Sequence, residues 1–384
     1  MIGYLKNVAA AAALLSALGS IPASSQVSFK GFGVPNAYIN DMSADGSVAV
    51  GILLNASTTA QPAGNQAFRW TAAGGVQNIG GHMNEVYISR DGKTIVGSAL
   101  DAQGNGNAAI WQGGTNWKLL GGPPGSVPQG SVLSSGYGVS GDGSVVVGQA
   151  NFPSSSQTGP QFRAFRWDAV NGMVDLGALQ QGGGTRAFAI SADGNTIVGS
   201  ESPHKDTTYN PSITGMSGVI FWNGLERMLH AFSLAGETFA TNFNGTIIVG
   251  RGHPQGGSYL PNGKFLPGIT TYMYTAWDGR FEDLGAVLLH VEGSFIIDYA
   301  STPTAVSDYG EVVGGTTGIA DHLPFIWTRG TGMVLLTDYL TANGVTAHQG
   351  WKLTDVSYIS PDGKRMVGTG ISPQGATSWI VTLP

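Results

Sequence analysis

The chain has no cysteine in its 384 residues. That absence excludes disulfides, thiolate metal sites, thiol nucleophiles and covalent haem attachment. Charge is scarce as well: Asp, Glu, Lys and Arg together make 11%, against roughly 25% in an average soluble protein. The 18 Lys and Arg form no run, so nucleic-acid binding, which needs a clustered basic patch, is set aside. Beyond the N-terminal segment no stretch reaches the roughly 18 apolar residues of a membrane-crossing helix. Gly-x-Ser-x-Gly, His-Glu-x-x-His and the Gly-rich loop ending in Lys-Ser/Thr are all missing. Nucleophile-elbow, zinc-protease and phosphate-loop chemistries therefore have no footing.

Glycine is what the chain has in excess, 60 residues, about twice the usual share of roughly 7%. Many of these glycines sit in one recurring phrase: an apolar residue, Ser, any residue, Asp-Gly, two spacers, an apolar pair and Gly. It reads Met42-Ser43-Ala44-Asp45-Gly46-Ser47-Val48-Ala49-Val50-Gly51 and returns around Asp91, Asp142, Asp193 and Asp362. Two copies have decayed, at Asn242-Phe243-Asn244-Gly245 and Ser307-Asp308-Tyr309-Gly310. Equivalent positions are spaced by 46, 51, 51, 51, 65 and 53 residues (45, 91, 142, 193, 244, 309, 362). Seven units of about 50 residues, built from short apolar runs and Gly turns, predict an all-β, seven-bladed β-propeller. One closed domain is expected over residues 26–384, although length alone would suggest two or three.

Within a blade, strand a is read as small and apolar beside the crowded axis, Ala187 to Ser191 in the fourth. Asp-Gly makes the a–b turn, where Asp accepts from backbone amides ahead of it and Gly accepts φ > 0. Strand b is Thr196-Ile197-Val198-Gly199, and strand c ends in Trp. Seven of the nine Trp hold that place, at 70, 111, 167, 222, 277, 327 and 379, and are read as inter-blade core. The seventh blade lacks strand d. Val27 to Gly33 has the right pattern, so the N-terminal strand is expected to complete the last blade and remove a free sheet edge.

Residues 1–25 read as a signal peptide: Lys6, an apolar run from Val8 to Leu18, then small residues at Ala23-Ser24-Ser25. The expected mature protein is secreted or periplasmic, not inserted in a membrane, and a monomer. The phrases Ala164-Phe165-Arg166-Trp167, Gly172-Met173-Val174-Asp175-Leu176-Gly177-Ala178-Leu179 and Ala187-Phe188-Ala189-Ile190-Ser191-Ala192-Asp193-Gly194 resemble the extracellular HAF-type repeat of bacterial proteins. The resemblance implies a secreted, repeat-built protein and assigns no reaction.

Function is sought on the face carrying the b–c loops and d–a connections, expected at 52–66, 121–136, 149–163, 200–217, 251–273, 286–303 and 340–355. Variable loops on a rigid scaffold are where binding usually resides. All seven histidines map to that face, outside the repeat strands and turns. The candidate catalytic residues are His253, His204, His322, Tyr259 and Tyr299, able to move a proton. The candidate substrate-binding residues at the channel mouth are Arg251, Arg186, Glu201, Glu237 and Asp355, with Arg suited to a two-pronged grip on a carboxylate. No metal site is assigned and no cofactor is identified. The pattern suits an extracellular acidic glycan, cleaved by β-elimination next to a uronate carboxylate. Hydrolysis through the acids, a non-catalytic glycan or cell-surface binding module, and an adhesive repeat are the alternatives.

Overall fold

The computed structural model describes residues 26–384 except 59–60, 82–84, 115, 154–160, 180–182, 206–213, 223–224, 229–235, 253–257, 260–264, 267–269, 292–293, 299–300 and 319–321. Seven four-stranded antiparallel sheets succeed one another as blades. In chain order, strands a to d are Ala37–Met42, Val48–Thr58, Gln61–Thr71 and Gly75–Gly80 in blade 1. Blade 2 has Tyr87–Ile88, Ile95–Leu100, Gly106–Trp111 and Lys118–Gly121. Blade 3 has Ser134–Val139, Val145–Phe152, Gln161–Asp168 and Gly172–Asp175. Blade 4 has Gly184–Ile190, Thr196–Lys205, Thr214–Trp222 and Leu225–Met228. Blade 5 has Glu237–Thr241, Ile247–Gly252, Thr270–Thr275 and Arg280–Asp283. Blade 6 has Thr302–Val306, Val312–Thr316, Pro324–Thr328 and Gly332–Leu335, followed by a short helix Leu336–Ala342. Blade 7 has Lys352–Ile359, Arg365–Ser372 and Gly375–Thr382. Its fourth strand is Ser28–Gly31, antiparallel to the last strand with Ser28 opposite Thr382 and Gly31 opposite Trp379. The ring therefore closes through the N-terminal strand, as the pattern predicts. Among the described residues no helix is long and apolar enough to cross a membrane.

The recurring phrase is a hydrogen-bond device. Ser43 Oγ donates to Asp45 Oδ1 at 2.7 Å and accepts the Val48 N–H at 3.0 Å. Asp45 Oδ1 also takes the Ser47 N–H. The same set recurs at Ser89/Asp91, Ser140/Asp142, Ser191/Asp193 and Ser360/Asp362. The buried Ser thus satisfies the first N–H of strand b, which has no ladder partner there. The Gly next to Asp is held at φ +71 to +78 in four of these turns. A Cβ on Gly143 would lie 2.2 Å from Thr94 Oγ1 of the blade before. In the decayed blades Asn242 and Ser307 still accept from Ile247 and Val312.

Strand a is not a plain strand. In six blades its register against strand b slips by one residue at the same place, leaving Asn40, Tyr137, Phe188, Phe239, Thr304 and Ser357 as the extra residue of a β-bulge. The strand-b residue beside the slip is always Gly: 51, 148, 199, 250, 315 and 368. A Cβ there would lie 1.8–2.4 Å from a strand-a carbonyl oxygen, so only Gly lets the bulged chain pass. The ring facing that Gly from strand c is Phe68, Phe165, Tyr272, Phe325 or Trp379, all at most 1% exposed.

That arrangement revises the reading of Trp. The core aromatic of blades 1, 3 and 6 is the Phe two residues before Trp. Trp111, Trp327 and Trp379 are buried, but Trp222 is 37% exposed and Trp277, in a c–d turn, is 78% exposed. Several expected loops are also sheet. Blades 1, 3 and 4 extend strands b and c well into 52–66, 149–163 and 200–217. Small hairpins occupy parts of 251–273 (Ser258–Tyr259 with Phe265–Leu266) and 286–303 (Val287–Val291 with Ser294–Asp298). Repetition marked where the stereotyped turns are. Irregular sequence between them resembles loop, although antiparallel strands tolerate it when one face is open to water.

Replacing Gly148 by Ala should cost about 1–3 kcal/mol, the usual range for overpacking, because the new Cβ would stand 1.9 Å from the Ser135 oxygen and 3.0 Å from the Phe165 ring. Gly330→Ala, whose Cβ meets only Thr328 Oγ1 at 3.9 Å, should change stability by less than about 0.5 kcal/mol. Urea unfolding of both variants checks this, and equal midpoints would contradict the role given to the strand-b glycine.

Candidate functional site

The bulges aim their extra residues into a central channel of about 990 Å³. All six bulge residues line it. The lining divides into two unlike walls. Blades 4 and 5 supply aromatic surface: Phe188 and Phe239 stack with ring centroids 5.6 Å apart. Each carries a guanidinium toward the loop-rich end, Arg186 at 5.8 Å from the Phe188 ring and Arg251 at 5.5 Å from the Phe239 ring. Blades 7, 1 and 2 supply acids and phenols: Asp355, Tyr358, Asp41, Glu85 and Tyr87. Tyr137 of blade 3 joins the walls, with Arg186 6.0 Å from its ring.

The acidic wall is held in unusual protonation states. Burial deep in the ring pushes the Asp41 carboxyl up to about 7, although the N–H groups of Ile88 (3.0 Å) and Met42 (2.8 Å) and the nearby Arg90 pull it back. Burial also pushes Asp355 up to about 7, with the charge of Glu85 adding to the rise and the Val356 N–H opposing it. Tyr87 donates to Glu85 at 2.8 Å, and burial followed by that carboxylate holds its phenol well above the ordinary value. Burial raises Tyr137 and Tyr358 too. Near neutrality this wall presents two carboxyls able to give or take a proton, beside phenols that stay donors.

Of the residues singled out from sequence, the channel brings together Arg186 and Asp355. Arg186 is exposed, its Nε donates to Gln149 at 2.8 Å, and among the described residues no carboxylate pairs with it. Arg251 is bound instead to Glu237 at 2.8 Å and to Thr302 at 2.8 Å, so this pair is structural and stands outside the channel lining. Glu201 is fully buried inside blade 4, opposite Thr185 and Ser217, and is not at the channel mouth. His322 is exposed in a turn at φ 46 and does not line the channel. His204 lies in strand b opposite Gly215, and His290 lies in an inserted hairpin opposite Phe295, so histidines do enter strands. Tyr259 pairs with Phe265 in a hairpin. The side chains of His204 and Tyr259, like the residues His253 and Tyr299, lie outside the described residues. His348 is core: it is 8% exposed, edge-on to Phe29 at 6.2 Å, with Nε2 3.4 Å from Thr341 Oγ1. Among the described residues no cluster of three His, Asp or Glu suits a metal ion.

Sequence reasoning missed Asp41, Glu85, Tyr87, Tyr137, Phe188, Phe239 and Tyr358. A signal existed in the repeat alignment. The residue two before the apolar-Ser pair is Tyr137, Phe188 and Phe239 in three successive blades, large where its neighbours Gly138, Ala189 and Ala240 are small. Reading strand a as uniformly small hid it.

No protein-family model matches the chain, and no curated protein matches it. Solved structures do. An oligogalacturonate lyase in complex with manganese superposes with TM-score 0.53 at 14% identity, over 93% of this chain and 91% of that one. The oligogalacturonate lyase of Vibrio parahaemolyticus gives 0.55 at 10% identity, over 94% and 97%. The β-propeller domain of the Pyrococcus furiosus Trilobed protease gives 0.50 at 10% identity, over 93% and 94%. At such identities the likeness establishes the propeller scaffold.

Two groups of carboxyls should give two separate pH windows. Asp41 and Asp355 bind protons more tightly folded than unfolded, where the value is 3.8. Their contribution to stability is complete below about pH 4 and is lost as pH rises through about 7. The turn aspartates behave oppositely: the Ser43 hydroxyl and then the Ser47 N–H hold Asp45 down at about 2. Its contribution is present above about pH 4 and is lost as pH falls through about 2. Asp41→Asn, an isostere of the protonated acid, should flatten the decline of Tm between about pH 4 and 7 and leave the acid limb unchanged. Calorimetric melting across that range would show it, and an unaltered slope would refute the placement of that proton.

Proposed function

We propose that the protein acts on a carboxylate-bearing extracellular polysaccharide, bound at the loop-rich end of the channel. The observation that carries this reading is the opposition of the two walls beneath a guanidinium that no carboxylate neutralises among the described residues. A sugar ring offers an apolar face and an edge of hydroxyls. Phe188 and Phe239 suit the face. Asp41, Asp355, Glu85 and the three tyrosines suit the hydroxyls, as convergent polar groups in a concave site. Arg186, which lies against the Phe188 and Tyr137 rings and among the described residues hydrogen-bonds a neutral amide and no carboxylate, suits a uronate carboxylate. The N-terminal apolar segment and the likeness to HAF-type repeats support an exported protein of the periplasm or medium.

A second reading, β-elimination, is favoured by the Asp355 carboxyl, which titrates at about 7 on this wall and is therefore matched to proton transfer near neutrality. Arg186 would neutralise the uronate carboxylate and acidify the adjacent C–H. The base takes that proton, the bond to the glycosidic oxygen breaks, a carbon–carbon double bond forms, and a phenol such as Tyr137 returns a proton to the leaving oxygen. Two of the similar solved structures are described as oligogalacturonate lyases, which supports the same class of substrate on this scaffold.

Calorimetric titration with oligogalacturonides and with neutral oligosaccharides of equal length tests the binding site. The acidic series should bind more tightly. Arg186→Ala should weaken it about tenfold or more, since a hydrogen bond to a charged group contributes roughly 1.5–3 kcal/mol. Arg186→Lys should fall between, keeping charge without the fork. Equal affinity for neutral chains, unaffected by Arg186→Ala, would sink the reading. Appearance of unsaturated uronate, lost in Asp355→Asn while binding persists, would establish elimination.

A further inference from the structure

The channel has two different ends. At the loop-rich end stand Glu85, Arg186 and Asp355. At the a–b turn end the lining becomes Met42, Ala44, Val139, Ile190, Ala192 and Pro361. There Arg90 of blade 2 reaches across the axis to Asp308 of blade 6. The pair is bidentate, Nη1 to Oδ1 at 3.1 Å and Nη2 to Oδ2 at 2.7 Å. Phe243 of blade 5 lies beneath the guanidinium, 4.8 Å from ring centre to Cζ. Asp308 is itself fixed: its carboxylate takes the Phe243 N–H at 3.1 Å, its carbonyl takes Asn242 Nδ2 at 2.8 Å, and its N–H donates to the Pro361 oxygen at 2.9 Å. An ion pair joining blades that are not neighbours, with an aromatic ring under it, is a bar across the opening.

Around the same end the turns are tied in sequence. Ala44 N–H donates to the Arg90 carbonyl, Asp91 to Gly141, Gly141 to Ala192 and Ala192 to Phe243, at 2.8–3.2 Å. The rim is therefore tight and the bar spans what it leaves. Arg90 and Asp308 occupy the variable place of Ser-x-Asp, where the other blades carry Ala44, Gly141, Ala192, Phe243 and Pro361. They are the two charged residues of that column, and their signs are opposite.

We infer that the channel is a blind pocket which receives the end of an acidic glycan chain rather than its middle, with the Arg90–Asp308 bar setting the depth. This rests on the glycan reading above. A volume of about 990 Å³ lies at the top of the usual range for enclosed ligand sites, about 300–1,000 Å³, so a short terminal segment fills it. A chain bound through its middle needs an exit for both flanks. The mouth offers one opening, and the bar denies the second.

The test is a length series of oligogalacturonides, from dimer to polymer, titrated into the mature protein by calorimetry. One protein should bind per chain end at every length, and affinity should level off once the pocket is filled. Removing the bar with Arg90→Ala plus Asp308→Ala should move that plateau to longer chains, and the exchanged pair Arg90→Asp with Asp308→Arg should restore it. A merely structural bar would alter Tm in these variants and leave the plateau where it was, which would overturn the inference. Stoichiometry that rises with length in the unaltered protein would overturn it without any variant, while sparing the acidic-glycan reading. Failure of every acidic oligomer to bind would remove that reading and the inference together.

Discussion

The missing Cβ of the strand-b glycine is the constraint on which the channel depends. A bulge in strand a brings its backbone across strand b, and the carbonyl then occupies the space of a side chain, 1.8–2.4 Å from where Cβ would be in six blades. Granted that space, the extra residue turns off the sheet and into the axis. The same glycine lets a strand-c ring lie flat against the sheet. One residue without a side chain thus fixes the inner wall and the inter-blade packing together. In blade 2 the described strand a is only Tyr87–Ile88, and the acidic Glu85 lines the channel there.

Closure follows from a second device. Six of the seven a–b turns present an N–H to the next blade, so the turns form a nearly complete ring of hydrogen bonds around the axis. The ring fails where chemistry requires: Pro361 has no N–H to pass on, and Tyr358 Oη reaches the Ser43 carbonyl at 3.3 Å in its place. On the outside the N-terminal strand completes the seventh sheet, so every blade ends in a short fourth strand. With both devices in place the scaffold tolerates loss of the Asp in blades 5 and 6, because Asn242 and Ser307 continue to accept the first amide of strand b.

The blades, their number, the Asp-Gly turns and the closing strand were legible because each is a repeated local choice written seven times. The site was legible only at Arg186 and Asp355, which stand out as charged residues in the first half of strand a. Arg251, Glu237 and Glu201 look the same in sequence, yet Arg251 and Glu237 neutralise each other and Glu201 is swallowed by its own sheet. Which carboxylate meets which guanidinium depends on register, and the bulge shifts register by one. The phenols and phenylalanines of the channel were hidden for the same reason. A one-residue slip turns a residue expected on one face toward the other, and nothing in the local pattern announces the slip except a glycine on the partner strand.

The Arg90–Asp308 pair shows why position rather than strength explains some interactions. Its side chains are 31% and 21% exposed, and a pair so open to water contributes about 0–1 kcal/mol. The turn-to-turn backbone bonds already hold that rim, and the sheet ladders hold the blades. A bar of such small worth adds little to a ring with so many stronger ties. It does change topology, converting an open tube into a cup, and it does so with residues in a column that the repeat leaves free. The motif positions that carry the fold, Ser, Asp and Gly, face the sheet or the next turn. The positions that vary between blades face the axis. Seven near-copies can therefore share one architecture and still build a lining with one acidic wall, one aromatic wall and one closed end.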